Sequence, residues 1–173
     1  KIKYFENKIK NVVVGEGITT IKDNAFSSCA YLASIDFKNV TTIGEQAFCG
    51  CTALESIDFK NVTIINEQAF CFCTSLKSVN FGKVTTIKES AFEGCTALGK
   101  SGIIDFENVT TIGESAFFKC TALKSINLGS IQNIEGWTFQ GCTGITTVTL
   151  PTDEKVAREI KRIICMDIDK TAG

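Results

Sequence analysis

Nine cysteines and no histidine bound the chemistry open to this chain of 173 residues. Six of them, Cys29, Cys51, Cys73, Cys95, Cys120 and Cys142, recur every 22 residues with one three-residue slip after Cys95, whereas Cys49, Cys71 and Cys165 stand outside that phase. Without histidine, Ser-His-Asp and Cys-His nucleophilic catalysis and the usual zinc sets are excluded, which leaves carboxylate pairs and single thiols. We therefore expect no enzyme, no cofactor and no metal. Cysteine repeated in one phase reads as core, because a free thiol packs as a small hydrophobe. Cys49 and Cys71 lie one period apart and should stack at about 5 Å, within disulfide reach if their side-chain vectors cooperate, so bridged and reduced states both stay open. A metal set built from Cys49-Gly50-Cys51 and Cys71-Phe72-Cys73 is disfavoured, since alternate residues of C-x-C point differently. Asp36 and Asp58 also stand one period apart. Two carboxylates without further loop oxygens fall short of the roughly six to eight ligands of a calcium shell.

The elements that must carry these groups follow from the same period. Phe26, Phe48, Phe70, Phe92, Phe117 and Phe139 keep one phase beside the cysteines. A repeat this short cannot bury its apolar face alone and must stack on its neighbours as a solenoid. In the unit beginning at Leu54, Ile57 and Phe59 alternate with Ser56, Asp58 and Lys60, the pattern of a half-buried strand. Equivalent strands centre on Val13, Ile35, Ile57, Val79, Ile104, Ile126 and Val148, which predicts seven parallel strands in one sheet. Val62 to Ile65 is β-branched and predicts a second extended segment opposite. Glu67-Gln68-Ala69-Phe70 predicts one turn of 3₁₀ or α-helix, with the acid near its N-terminal dipole.

The ends of such an array need covering. After Pro151, Thr152 is placed to cap a helix with Asp153 and Glu154 in its first turn and with Val156, Ile160, Ile163 and Ile164 at helical spacing. Tyr4, Phe5 and Ile9 are expected to cover the first coil. The organisation expected is an N-terminal cap or incomplete repeat over 1–12, repeats over 13–150, and a capping helix and tail over 151–173. Eighteen basic residues against nineteen acidic ones, with a net charge of -1 and no basic block, make nucleic acid an unsuitable partner. No apolar run approaches the roughly 20 residues of a membrane span, so no membrane insertion is expected.

The unit Leu-x-Ser-Ile-x-Phe-x-x-Val-Thr-x-Ile-x-x-x-Ala-Phe-x-x-Cys, written almost unchanged from Leu32 and drifting between Val13 and Leu150, resembles the BspA-like, Treponema-type leucine-rich repeat. Its Ile-Gly-Glu-x-Ala-Phe-x-x-Cys core stands at Ile43 to Cys51 and again at Ile112 to Cys120. The departures are Trp137-Thr138-Phe139, where Thr replaces Ala, and the insertion after Leu98. The resemblance implies an α/β leucine-rich-repeat solenoid: a right-handed curved coil stack with short parallel β-strands on the concave face, 3₁₀ or short helical turns and extended segments elsewhere, and a C-terminal capping helix. It also implies an extracellular or cell-surface adhesion protein whose partner is a host extracellular-matrix or cell-surface protein; the chain itself is expected to be a monomer. The family carries no shared catalytic residues.

The outward strand positions form three columns: Ser34, Ser56, Ser78, Ile103, Ser125 and Thr147; Asp36, Asp58, Asn80, Asp105, Asn127 and Thr149; Lys38, Lys60, Gly82, Glu107, Gly129 and Pro151. One reading is a solvated, charge-balanced sheet, and the other is a ligand face. The candidate partner-binding residues are Ser34, Asp36, Lys38, Ser56, Asp58, Lys60, Ser78, Asn80, Asp105, Glu107, Asn127 and Trp137. Trp137 replaces Asn24, Gln46, Gln68, Ser90 and Ser115 in its phase, which fits either an exposed anchor or packing on the terminal helix. Asp23, Glu45, Glu67, Glu89 and Glu114 form an acidic column, read as dipole complementation or as a docking ridge. Asn39-Val40-Thr41, Asn61-Val62-Thr63 and Asn108-Val109-Thr110 match the glycosylation acceptor pattern, which repetition alone also produces. The alternative to a binding module is a structural spacer that contributes about 4.8 Å per coil while a neighbouring domain binds.

Overall fold

The computed structural model describes residues 8–169, in which each coil of the chain contributes two short strands. The first strand of each pair is β1 (Asn11–Val13), β3 (Ser34–Asp36), β5 (Ser56–Asp58), β7 (Ser78–Asn80), β9 (Ile104–Asp105), β11 (Ser125–Asn127) or β13 (Thr147–Thr149). The second is β2 (Thr20–Ile21), β4 (Thr42–Ile43), β6 (Ile64–Ile65), β8 (Thr86–Ile87), β10 (Thr111–Ile112) or β12 (Asn133–Ile134), and a single helix, α1 (Glu154–Asp169), closes the described chain. All pairings are parallel, so the molecule is a β-solenoid of about six turns with a C-terminal helix.

The strand rows depart from expectation in two places. The continuous six-stranded sheet is the second row, β2 to β12, whereas the first row divides into ladders of two, two and three strands: β1-β3, β5-β7 and β9-β11-β13. β9 follows the Gly99 to Gly102 insertion and is shortened by it to two residues. Nothing in the packing accounts for the missing ladder between β3 and β5, which remain neighbours. The first strand also centres on Val12, which pairs with Ile35, and not on Val13, which is three-quarters exposed. Val12-Val13-Val14 offers no alternation to fix the phase, and the Gly15-Glu16-Gly17 corner takes up the extra residue.

The corners are built from hydrogen-bonded turns. Ala47, Cys49 and Cys51 donate their N–H groups to Gly44, Gln46 and Phe48 carbonyls at 3.3, 3.1 and 3.1 Å, the i→i−3 bonds of successive β-turns rather than of the expected helical turn. The intervening N–H groups of Gln46, Phe48 and Gly50 donate across to Glu67, Ala69 and Cys71 of the next coil at 3.0, 2.8 and 2.8 Å. Because every second donor serves a neighbouring coil, no helix propagates, and Gln46 (φ +53°) and Gly50 (φ +75°) are left-handed to make the reversals. The acidic column therefore has no helix dipole to complement.

The interior is a stack of like residues. Phe26, Phe48, Phe70, Phe92, Phe117 and Phe139 lie face to face with centroids 5.2, 5.0, 5.4, 5.4 and 5.6 Å apart. Phe37, Phe59, Phe81 and Phe106 meet that column edge-on at 5.6, 5.4, 5.7 and 5.3 Å. Both geometries suit the ring quadrupole, and each buried ring contributes about 1.5–3 kcal/mol of apolar transfer. The thiols of Cys51, Cys73, Cys95, Cys120 and Cys142 are buried and donate to Phe26, Phe48, Phe70, Phe92 and Phe117 carbonyls at 3.0–3.2 Å, as the core reading requires.

At the C-terminal end the helix cap is Asp153 and not Thr152: its Oδ1 accepts the Val156 N–H at 2.9 Å. Asp153 stands one residue before the first helical position, where a side-chain acceptor reaches the third N–H, and Thr152 stands too early to do so. Ile160 and Ile164 are buried against the last coil, with Val156 and Ile163 half-buried beside them. Asp167, on the same stripe, is buried too. Its two carboxylate oxygens accept the Trp137 and Phe139 N–H groups, each at 3.0 Å. In earlier coils those donors meet carbonyls of the following coil, so Asp167 substitutes for two backbone oxygens of a coil that does not follow. At the other end Ile9 is exposed, and Tyr4 and Phe5 lie outside the described residues.

Candidate functional site

The ladder registers bring the predicted columns together in pairs: Ser56 opposite Ser78, Asp58 opposite Asn80, and Asp105 opposite Asn127. Ser34 and Asp36 stand opposite Asn11 and Val13. Side chains at these positions point outward because alternate residues of each short strand, Ile35, Ile57, Val79, Ile104 and Ile126, point into the core. Lys38, Gly82 and Gly129 follow each strand in a tight turn, and their N–H groups bond to Asp36 Oδ1, Asn80 Oδ1 and Asn127 Oδ1 at 3.2, 3.1 and 3.0 Å. Glu107 is exposed at the corresponding position after β9.

The acids on this face are met by their own neighbours. Lys60 lies 3.7 Å from Asp36 across the break between β3 and β5, and Asn80 and Asn127 donate to Asp58 and Asp105 at 2.9 and 3.0 Å. Ser34 donates to Asn11 at 2.7 Å. The Asp36–Lys60 pair is about half exposed, which limits it to well under 1 kcal/mol. A polar, charge-balanced strip results, and among the described residues no cluster of three or more potential metal ligands occurs.

Elsewhere the predicted features divide. In the acidic column Asp23 Oδ1 accepts the Glu45 N–H at 2.9 Å and Glu67 pairs with Lys88 at 3.3 Å. Asn39, Asn61 and Asn108 spend their Nδ2 groups on carbonyls of the preceding coil, Glu16, Lys38 and Gly82, at 3.0, 3.0 and 2.8 Å. Those nitrogens are the atoms a glycan would need. Gly99 and Gly102 both adopt positive φ, +91° and +145°, as the inserted turn demands. Thr138, in place of Ala, is fully buried with its hydroxyl 2.6 Å from the Glu135 carbonyl and 3.2 Å from that of Gly113.

Cys49 and Cys71 are joined by a disulfide across adjacent coils, with Cα atoms 4.7 Å apart. Three of the core thiols are held protonated. Burial pushes Cys51 well above its ordinary value of 9.0, with the neighbouring thiols of Cys73 and Cys29 adding to the effect. Cys73 is raised first by its hydrogen bond with Cys95 and then by burial, and Cys120 by burial and then by its bond with Cys142. None of these thiols is a nucleophile at neutral pH.

Trp137 satisfies part of each expectation. Its ring is half exposed, and a cavity of about 170 Å³ lies between it and Arg162, Ile163 and Met166 of α1. On its other side Phe118 of the preceding coil approaches, a residue the column pattern left aside although it interrupts Ser27, Cys49, Cys71, Glu93 and Gln140 in one phase.

Comparison with known proteins places the chain. The sequence profile described as "BspA type Leucine rich repeat region" matches six copies over residues 2–106 and 102–160. Among solved structures, the chain is similar to a leucine-rich repeat protein from Bacteroides ovatus, at 27% identity and a TM-score of 0.56 over 86% of this chain and 51% of that one. It is also similar to a Leucine Rich Repeat protein of T. pallidum, at 19% identity and a TM-score of 0.58 over 89% of this chain and 88% of that one. A leucine rich cell surface protein from Faecalibacterium prausnitzii matches at 20% identity and a TM-score of 0.52, over 89% of this chain and 63% of that one. The chain thus spans about half the length of the Bacteroides ovatus protein and under two thirds of the Faecalibacterium one. No curated protein matches it.

Proposed function

Because the chain belongs to the BspA-type leucine-rich-repeat family, we propose that it is a non-catalytic protein-interaction module of an extracellular or cell-surface adhesion protein, binding a host or partner protein through the outward strand face. The observation that carries this reading is the face itself: two columns of mostly polar side chains, registered within each short ladder and presented on strands whose inner residues are locked in a stacked core. Such a surface offers many hydrogen-bonding groups in fixed positions, the arrangement by which solenoids hold extended partners. The cell-surface description of the Faecalibacterium protein supports the compartment, and the disulfide between Cys49 and Cys71 suits an oxidising one. Among the described residues no helix is long and apolar enough to cross a membrane.

A second reading is favoured by the same hydrogen bonds. Since Asp36, Asp58 and Asp105 are already satisfied by Lys60, Asn80 and Asn127, the face is balanced without a partner, as a structural spacer would be. The two readings separate in one experiment. Isolated protein is tested by surface plasmon resonance against a panel of extracellular-matrix and cell-surface proteins, beside a variant carrying Asp36→Ser, Lys38→Ser, Asp58→Ser and Lys60→Ser. Serine at position 36 retains an oxygen that can accept the backbone N–H of position 38, so the turn is kept. Binding that the variant loses supports the module; binding equal in both, or none by the natural protein, overturns it in favour of the spacer.

A further inference from the structure

We infer that the C-terminal corner of the solenoid, away from the strand face, holds a second binding site for a basic side chain, a lysine or arginine of a partner segment, formed by Trp137, Phe118 and Glu93. These residues, with Ser115 and Gln140, line an open cavity of about 390 Å³. They come from three successive coils. The two aromatics are departures from the repeat: other coils place Asn24, Gln46, Gln68, Ser90 or Ser115 where Trp137 stands, and Ser27, Cys49, Cys71, Glu93 or Gln140 where Phe118 stands.

Trp137 occupies this position at some cost. Its backbone is left-handed, φ +59°, a conformation that suits small polar residues and disfavours bulky ones. Core packing offsets this only in part, because the ring is half exposed. The neighbouring acid is also unmatched: the Glu93 carboxylate, half-buried at the cavity, makes no hydrogen bond or ion pair with another described residue. Aromatic faces attract cations, and an unpaired carboxylate at the same cavity adds direct charge complementarity, so the combination selects a cationic group with an apolar stem. The Lys119 ammonium already lies 5.0 Å from the Phe118 ring centroid, so a cation on this ring is realised within the chain itself. This site is independent of the strand face and stands or falls separately from it.

Trp137 is the chain's single tryptophan, so its indole N–H resonance reports on the corner alone. ¹⁵N-labelled protein is titrated with the peptide acetyl-Gly-Gly-Lys-Gly-Gly-amide, its arginine counterpart and its norleucine counterpart. The expected result is a saturable indole shift with the lysine or arginine peptide, at least fivefold weaker binding of the norleucine peptide, and at least threefold weaker lysine binding by Glu93→Gln at an unchanged melting temperature. Phe118→Leu provides a second variant, with the same expected loss. Absence of a saturable shift with both basic peptides, equal binding of norleucine, or full affinity in Glu93→Gln overturns the inference.

Discussion

Replacing Asp167 by Ala should loosen the last coil of the solenoid and leave the earlier coils intact. The carboxylate accepts the Trp137 and Phe139 N–H groups at 3.0 Å each, and Phe139 is fully buried. Deleting it leaves two backbone donors without their acceptors, at about 1–3 kcal/mol apiece. Relief of the cost of burying a charge offsets part of this, so the expected loss is about 2–4 kcal/mol, a large share of a typical stability of roughly 5–15 kcal/mol. Asp167→Asn keeps one acceptor and should lose about half as much. Urea unfolding followed by Trp137 fluorescence should shift to lower denaturant ahead of the far-ultraviolet signal, because solenoid coils couple mainly to their neighbours. Amide exchange at Phe139 should quicken by at least tenfold while Phe70 is unchanged. A stability loss below about 0.5 kcal/mol, with Phe139 still protected, would refute the idea that this carboxylate stands in for a following coil.

Four further outcomes follow from the cysteines and the asparagine ladder. Unfolded without reductant, the protein should yield seven of its nine thiols to a thiol-counting reagent, and when folded only exposed Cys165 should react; a folded count above one would contradict the sealed core. Because burial and neighbouring thiols raise the folded values of Cys51, Cys73 and Cys120 above 9.0, their contribution to stability is fully present below that pH. It should fall at higher pH as the unfolded thiols ionise, by about 1.4 kcal/mol per pH unit per thiol, and melting temperatures measured from pH 7 to 10.5 check the sign. Cys49→Ser with Cys71→Ser opens a closure of 22 residues and should cost about 3 kcal/mol in chemical unfolding. Expressed through a eukaryotic secretory pathway, Asn39, Asn61 and Asn108 should remain unglycosylated by mass spectrometry, since each Nδ2 is committed to a carbonyl of the preceding coil.

The repeat made much of this legible. Phe and Cys in fixed phase specify which residues stack, and the alternation at Ile57 and Phe59 gives the inner face of the strands, so the core is readable coil by coil. What a period cannot convey is hydrogen bonding between coils. Glu67-Gln68-Ala69-Phe70 reads as a helical turn, yet alternate N–H groups turn to the next coil, and a left-handed Gln68 is invisible in residue type. The break between β3 and β5 leaves no trace in sequences that are nearly identical there. Asp167 was within reach: an acid on the apolar stripe of Ile160 and Ile164 is a misplaced charge unless something buried requires it. On the candidate face the columns were readable, but that Asp58 and Asp105 would be answered by Asn80 and Asn127 depended on the parallel register.

The reading of the strand face as the interaction surface is tested most directly by placing bulk and charge on it. Ser56→Arg with Ser78→Arg, a registered pair at the centre of the face, is compared with Glu45→Lys and Glu89→Lys on the acidic column in the same binding panel. The account predicts that the serine pair abolishes binding and the glutamate pair leaves it within about twofold. Loss confined to the glutamate pair, or binding untouched by the arginines, would contradict it.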